Sequence, residues 1–131
     1  MILVDTSVWI GLIRGSILVD ADQMEEFAVC GPIVQEILQG LDDSPGAAQF
    51  GKDLANIPVL GDPISLDTFK HAAEIYRTGR RFGVTVRSST DCLIAAIAIR
   101  AGVAVWHRDR DYDHIARYTP LQAMRNVKGA R

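Results

Sequence analysis

The chain has 131 residues, 48% hydrophobic and 23% charged, the size and balance of one domain, residues 1–131, around one core. No apolar run reaches the ~18 residues of a membrane span, and the start MILVD lacks the basic n-region of a signal peptide, so a cytoplasmic protein without a membrane partner is expected. A net charge of −2 argues against the broadly basic footprint of a general nucleic-acid binder, although cation-binding carboxylates and local arginine stretches escape that total.

Residues 1–4 form a wholly apolar run, as expected of a buried parallel strand. Residues 6–14 predict a helix ended by Gly15. Residues 16–26 are ambiguous, with a helical second half. Residues 27–30 predict a second strand, and Gly31-Pro32 opens a helix through Gly40, with proline in its first turn. Within residues 44–56, Pro45 and Gly46 mark a loop and the remainder reads as helix. Residues 58–60 predict a short strand. Residues 67–82 predict a long amphipathic helix capped by Asp67 or Ser65. Residues 88–101 predict an apolar helix followed by Gly102, residues 104–106 another strand, and residues 111–117 a last short helix. Cys30 and Cys92 lie in apolar stretches and are expected as buried thiols.

Strands alternating with helices imply an α/β layered fold with a mainly parallel sheet. The segment LIAAIAI, residues 93–99, is apolar almost all round. Such a helix is buried on more than one side, between the sheet and another helix or at a subunit interface.

In open parallel sheets, ligands bind beyond the C-terminal ends of the strands. Asp5 is the first residue after the first strand, Asp109 comes three residues after Trp106, and Glu36 lies about one turn into the helix after residues 27–30. Three acids from distant parts of the chain are therefore expected at one sheet edge. Each has a plainer role open to it. Asp5 is equally well placed to cap the following helix. Asp91 follows Ser88 by three, a capping-box spacing, although a helix N-terminus also favours negative charge for other purposes. Glu36 borders the apolar stripe of Ile33, Val34, Ile37, Leu38 and Leu41, with Gly40 leaving room one turn on. Asp109, Asp111 and Asp113 are most simply a polar loop.

The segments MILVDTSVWI, GPIVQEILQG, RSSTDCLIAAIAIRAG and VWHRDRDYDHIA, in this order over nearly the whole chain, resemble the PIN-domain family and, within it, the VapC toxins of bacterial and archaeal toxin–antitoxin pairs. The resemblance implies an α/β/α sandwich with four or five mainly parallel strands. It implies an endoribonuclease dependent on Mg2+ or Mn2+, with Asp5, Glu36, Asp91 and Asp109 as catalytic and metal-holding acids, and Thr6 and Asp111 as auxiliary groups. It also implies an RNA substrate, a cognate VapB-like antitoxin and a homodimer. The stretch between Arg14 and Phe27 is shorter than in many relatives, which bears on the entrance to the site and not on the acids.

Phosphodiesters are anionic and repel bare carboxylates. Mg2+ held by one or two carboxylates reverses this, leaves positions open for water and phosphate oxygens, activates water and stabilises charge on the transferring phosphoryl group. Asp5 and Asp91 are expected as direct ligands, with Asp109 completing the first site and Glu36 holding a second ion or positioning the attacking water. Asp111, two residues beyond Asp109, is expected to cap the last helix or act behind the ligands, and Asp113 to face solvent. Hydrolysis by metal-activated water predicts 5′-phosphate and 3′-hydroxyl ends. Arg80, Arg81, Arg87 and Arg108 are candidates for phosphate contact, although each arginine by itself reads as solvated surface. His71, His107 and His114 are expected to be surface or structural residues.

A haloacid-dehalogenase-type phosphatase would need a second Asp two residues after Asp5, where Ser7 stands. A receiver domain would need a lysine after a late strand, and the region after residues 104–106 supplies arginines and aspartates instead. A PIN-like scaffold that binds without cutting, and a housekeeping PIN nuclease without an antitoxin, are the alternatives that stay open.

Overall fold

The apolar runs of the sequence become the strands of one parallel sheet. The computed structural model describes residues 1–127, 129 and 130. Its strands are β1 (Ile2–Val4), β2 (Phe27–Cys30), β3 (Val59–Leu60), β4 (Ala104–Trp106) and β5 (Ala123–Met124). They lie in the order β3-β2-β1-β4-β5, and every pairing is parallel. All four residues of β2 are buried, as expected of a strand covered on both faces. β5 was not read from the sequence, since two residues carry no periodicity to detect.

The helices are α1 (Thr6–Arg14), α2 (Ala21–Met24), α3 (Gly31–Gly40), α4 (Pro45–Asp53), α5 (Leu66–Arg81), α6 (Ser89–Ala101) and α7 (Arg110–Ala116), with a 3-10 turn at Leu54–Asn56. Gly15 ends α1 in the left-handed region at φ 78°, where a side chain would be strained. Asp20 opens α2 with a capping box to Gln23. Ser65, and not Asp67, caps α5: its hydroxyl accepts from Thr68 N at 3.2 Å. Pro45 and Gly46 form the first turn of α4 rather than a loop, with Ser44 as the cap. The glycine is there because a Cβ at position 46 would press on the Ile13 carbonyl oxygen of α1.

The core runs along both sides of β1. Trp9 meets Phe27 edge-on at 6.0 Å and Phe50 at 5.4 Å, while Phe27 meets Trp106 at 5.5 Å. Ile94, Ala95, Ala96, Ile97 and Ala98 of α6 are all buried. They are covered within the chain itself, since α6 packs on α3, α5, α7, β3 and β4. The all-round apolar character of residues 93–99 is thus explained by intramolecular packing, and it no longer argues for a subunit interface. Cys30 and Cys92 are free and buried, and burial pushes their thiols up to about 12 and about 11. Among the described residues, no helix is long and apolar enough to cross a membrane.

The strand order reverses between β1 and β4. Chain segments leaving these two neighbours diverge to opposite sides, and the crevice between them is where open α/β sheets bind ligands. Asp5 leaves β1 there, and the Asp109 segment leaves β4.

Candidate metal centre

Backbone geometry brings Asp5, Asp91, Asp109 and Asp111 together at this crevice. Asp5 stands at the N-cap of α1 with extended backbone, yet its side chain makes no cap bond. The residue is 7% exposed, and its carboxylate is held instead by Ser7 Oγ at 3.1 Å and by the Tyr112 hydroxyl at 2.8 Å. Asp91 is the third residue of α6. The expected capping box is absent, because the Ser88 side chain makes no cap bond. Asp91 therefore points inward, where Oδ1 accepts from the Tyr112 hydroxyl at 3.3 Å and the buried Oδ2 has no partner.

Asp109 is the N-cap of α7, its Oδ1 accepting from Asp111 N at 2.9 Å. Asp111, in the first turn of α7, is 2% exposed. Its Oδ2 accepts from Arg87 N at 3.3 Å and lies 3.6 Å from Arg87 Nε. Among the described residues, Asp91, Asp109 and Asp111 offer carboxylate oxygens that all lie within 4.8 Å of one another. Asp111, expected to cap the last helix or to act behind the ligands, is one of the closest three, and Asp5 joins them through Tyr112. Glu36 sits on the exposed side of α3 and accepts from Thr6 Oγ1 at 3.1 Å.

The electrostatics are those of an anion cage. Burial, reinforced by the charges of Asp5, Asp109 and Asp111, pushes Asp91 up from 3.8 to about 7. Burial and the nearby Asp5 raise Glu36 against the bond from Thr6, which lowers it. Burial, with the charges of Asp5 and Asp91, holds the Tyr112 phenol well above its usual value, so it stays a donor. Arg87 alone brings a cation against the group, at 3.4 Å from Asp109 and 3.6 Å from Asp111 among the ion pairs of the described residues.

A cleft of about 530 Å³ opens over Asp5 and Asp109 and is lined by Ser7, Arg87, Arg108, Arg110 and Arg125. Arg87 and Arg108 were expected at the site. Arg80 instead lies over the Tyr76 ring, 5.6 Å from its centroid, and Arg81 pairs with Glu74 at 3.6 Å. Neither lines the cleft. Arg125, which follows the unread β5, and Tyr112 escaped the sequence reading. The signal for Tyr112 was an aromatic three residues before Ile115 on a short helix, a buried-face spacing.

Asp113, expected to face solvent, has 37% of its side chain exposed. Its other side meets Arg125 at 2.6 and 2.8 Å and His107 Nε2 at 3.2 Å. His107, expected to be a surface or structural residue, is fully buried, and desolvation holds its imidazole below its ordinary value against the opposing charge of Asp113. The 3.2 Å contact is thus one between a neutral ring and a carboxylate. It is not aligned as a hydrogen bond, since Nε2 counts among the buried atoms without a hydrogen-bond partner.

A parallel sheet whose switch point gathers acids from β1, α6 and the segment after β4 defines the PIN-domain class. The PIN domain family model matches residues 2–118, and the chain belongs to this family. Within it, the chain is similar to Ribonuclease VapC11 of Mycobacterium tuberculosis, with 43% identity over 94% of this chain and 97% of that one. Two solved structures share the fold. One is VapBC2 from Rickettsia felis, bound to a DNA fragment from its promoter. It has a TM-score of 0.66 and 17% identity, covering 94% of this chain and 97% of that one. The other is VapBC-5 from Mycobacterium tuberculosis, with a TM-score of 0.66 and 20% identity over 95% and 97% of the two chains.

Proposed function

We propose that this chain is a divalent-metal-dependent endoribonuclease that acts as the toxin of a VapBC-type toxin–antitoxin pair in the cytoplasm. The observation that carries the reading is the buried, unpartnered Oδ2 of Asp91 beside the carboxylates of Asp109 and Asp111. An orphaned buried carboxylate oxygen is costly, and three carboxylates in close range, one of them with an orphaned oxygen, fit a hard cation such as Mg2+ or Mn2+. The 43% identity to a VapC ribonuclease supports the activity, and the VapBC complexes of the same fold support the antitoxin partner.

Asp91, Asp109 and Asp111 would hold the ion, with Asp5 and Glu36 completing the anionic wall. When bound, the cation supplies activation of water and charge neutralisation at the scissile phosphate. Tyr112 and Ser7 hold Asp5, and Thr6 holds Glu36. Arg108, Arg110 and Arg125, at the rim of the cleft, bind the flanking phosphates of a single-stranded RNA.

An apolar groove between α1, α2 and α4, lined by Trp9, Leu12, Ile17, Leu18, Met24 and Phe50, suits the apolar side chains of an antitoxin segment whose Arg or Lys reaches the carboxylates. Leu66 and Phe69, 69% and 48% exposed on α5, support a homodimer through that helix.

The deciding experiment incubates the purified chain with single-stranded RNA and Mg2+ or Mn2+. Cleavage stops in excess EDTA and the products carry 5′-phosphates. Undiminished cleavage in EDTA, or 2′,3′-cyclic phosphate ends, would reject the mechanism. Expression alone arrests growth and co-expression with the small protein encoded beside it relieves the arrest; harmless accumulation of metal-loaded protein counts against the toxin role.

A further inference from the structure

The described residues contain one fully buried histidine, and nothing in the cleavage chemistry uses it. His107 is the first residue after β4, two before Asp109. Its Nδ1 accepts a hydrogen bond from Asp109 N at 3.1 Å, so Nδ1 carries no proton and the ring proton lies on Nε2. On that side stands Asp113 Oδ1, 3.2 Å away. Asp113 is in turn gripped by Arg125, whose Nε and Nη2 reach Asp113 Oδ2 at 2.8 and 2.6 Å. Arg125 follows β5 directly, and its own carbonyl oxygen accepts from Trp106 Nε1 at 3.1 Å. A continuous line of polar contacts thus runs from the sheet edge through Arg125, Asp113 and His107 to the backbone of Asp109.

We propose that His107 is a positioning residue for the acid cluster, and that Asp113, held by Arg125, selects the imidazole tautomer that lets His107 do so. The physical reason lies in the two ring nitrogens. A carboxylate beside Nε2 attracts the proton to that nitrogen and leaves Nδ1 as an acceptor. Were the proton on Nδ1, two N–H donors would face each other across 3.1 Å and the turn at Asp109 would have to open. That turn matters because Asp109 caps α7 through Asp111 N. Its backbone therefore sets the placement of both Asp109 and Asp111, two of the three closest carboxylates. His107 acts through the backbone of a ligand, as second partners of metal ligands act through their side chains. The inference rests on the metal reading of the cluster, but its first test does not need the metal.

Nitrogen-15 NMR of the metal-free 131-residue chain reads the tautomer. The native protein shows a protonated Nε2 and a bare Nδ1 at His107, and Asp113→Ala shifts the ring toward a mixture of both forms. Mn2+ binding, followed by EPR on the same proteins, reads the consequence. His107→Phe keeps the ring volume without the acceptor and weakens Mn2+ binding about tenfold or more, whereas His107→Asn, whose amide oxygen can take the place of Nδ1, stays within about threefold of native. If His107→Phe fails to fold, Asp113→Ala and Arg125→Ala, changed at partly exposed positions, carry the same comparison with a smaller loss. Unchanged Mn2+ affinity in Asp113→Ala and Arg125→Ala overturns the proposal, as does equal weakening by His107→Phe and His107→Asn. A native chain that takes up no Mn2+ overturns this reading together with the metal centre. One that binds Mn2+ with a protonated Nδ1 overturns this reading alone.

Discussion

The hydroxyl of Tyr112 donates a 2.8 Å hydrogen bond to Asp5 Oδ1, joining residues 107 positions apart. The same oxygen lies 3.3 Å from Asp91 Oδ1. One proton thus serves two buried carboxylates that otherwise repel each other. Tyr112→Phe removes that proton without changing the ring, and the loss of a buried bond to charged groups is expected to cost the metal-free protein about 1.5–3 kcal/mol. In the proposed metal centre, Mn2+ would supply positive charge to the same oxygens. The gap in melting temperature between native and variant should therefore shrink when Mn2+ is added, as thermal melts in EDTA and in Mn2+ would show. An equal gap in both would mean the phenol contributes packing alone.

Asp91 governs how the metal-free protein responds to pH. Its folded value of about 7 lies above the usual 3.8, so between about pH 4 and about pH 7 the folded state binds more protons than the unfolded state. Its contribution to stability therefore falls as pH rises through that window and levels off above it. Asp91→Asn removes this dependence. In EDTA, the variant should gain stability relative to native as pH rises, with the difference reaching a plateau above about pH 7. A difference that shrinks with rising pH would contradict the assignment.

The acids should separate by their place in the cluster. Asp91→Asn and Asp5→Asn are expected to abolish cleavage and Asp109→Asn to be severe, as the sequence already implied. The burial of Asp111 and its proximity to Asp91 and Asp109 make Asp111→Asn severe as well. Asp113→Asn should lower activity less than about tenfold through its contact with His107. Single-turnover cleavage across a Mg2+ titration checks the order, and full activity in Asp111→Asn would return that residue to an auxiliary role.

The rim arginines should account for the salt dependence of RNA binding. Each of Arg108→Ala and Arg110→Ala should weaken binding and reduce the slope of log affinity against log salt by about 0.7, the share of one phosphate contact on a single strand. Arg81→Ala, whose guanidinium faces Glu74, should leave that slope unchanged. Filter binding with a catalytically inert variant over a salt series makes the comparison.

Gly46→Ala tests the contact of α4 with α1. Alanine is the better helix former, so an open site would be stabilised. Here the new Cβ meets the Ile13 carbonyl oxygen, and the backbone of α1 cannot step aside as a side chain would. A net loss of about 1–3 kcal/mol is expected from denaturant unfolding.

Much of the fold was legible because the signals were local. Buried parallel strands are continuous apolar runs, and residues 1–4, 27–30 and 104–106 carry them openly. Helix boundaries followed from Gly15, Pro32 and Gly102, whose backbone preferences act within a few residues. Asp5, Asp91 and Asp109 were legible as candidates for the same reason, since each follows a strand or stands at the start of a helix. β5 was not: two residues give no period, and Ala123 and Met124 become a strand only because β4 presents an edge to pair with. Nor were the boundaries of α4, where Pro45 and Gly46 read as a breaker until α1 is packed against them.

The residues by themselves mark four of the strands and the buried helix α6, and the family resemblance they carry implies Asp5, Glu36, Asp91 and Asp109 as candidates. Which acids stand closest depended on packing. α7 turns Asp111 inward and seats Tyr112 between carboxylates from β1 and α6, a juxtaposition that spacing along one helix does not encode. The arginines divided in the same way. Their charge is read from residue type, but the C-terminal end of α5 takes Arg80 and Arg81 to Tyr76 and Glu74, while β5 brings Arg125 back to the cleft. A side chain's chemistry is local, whereas its partners are set by where distant elements place their surfaces.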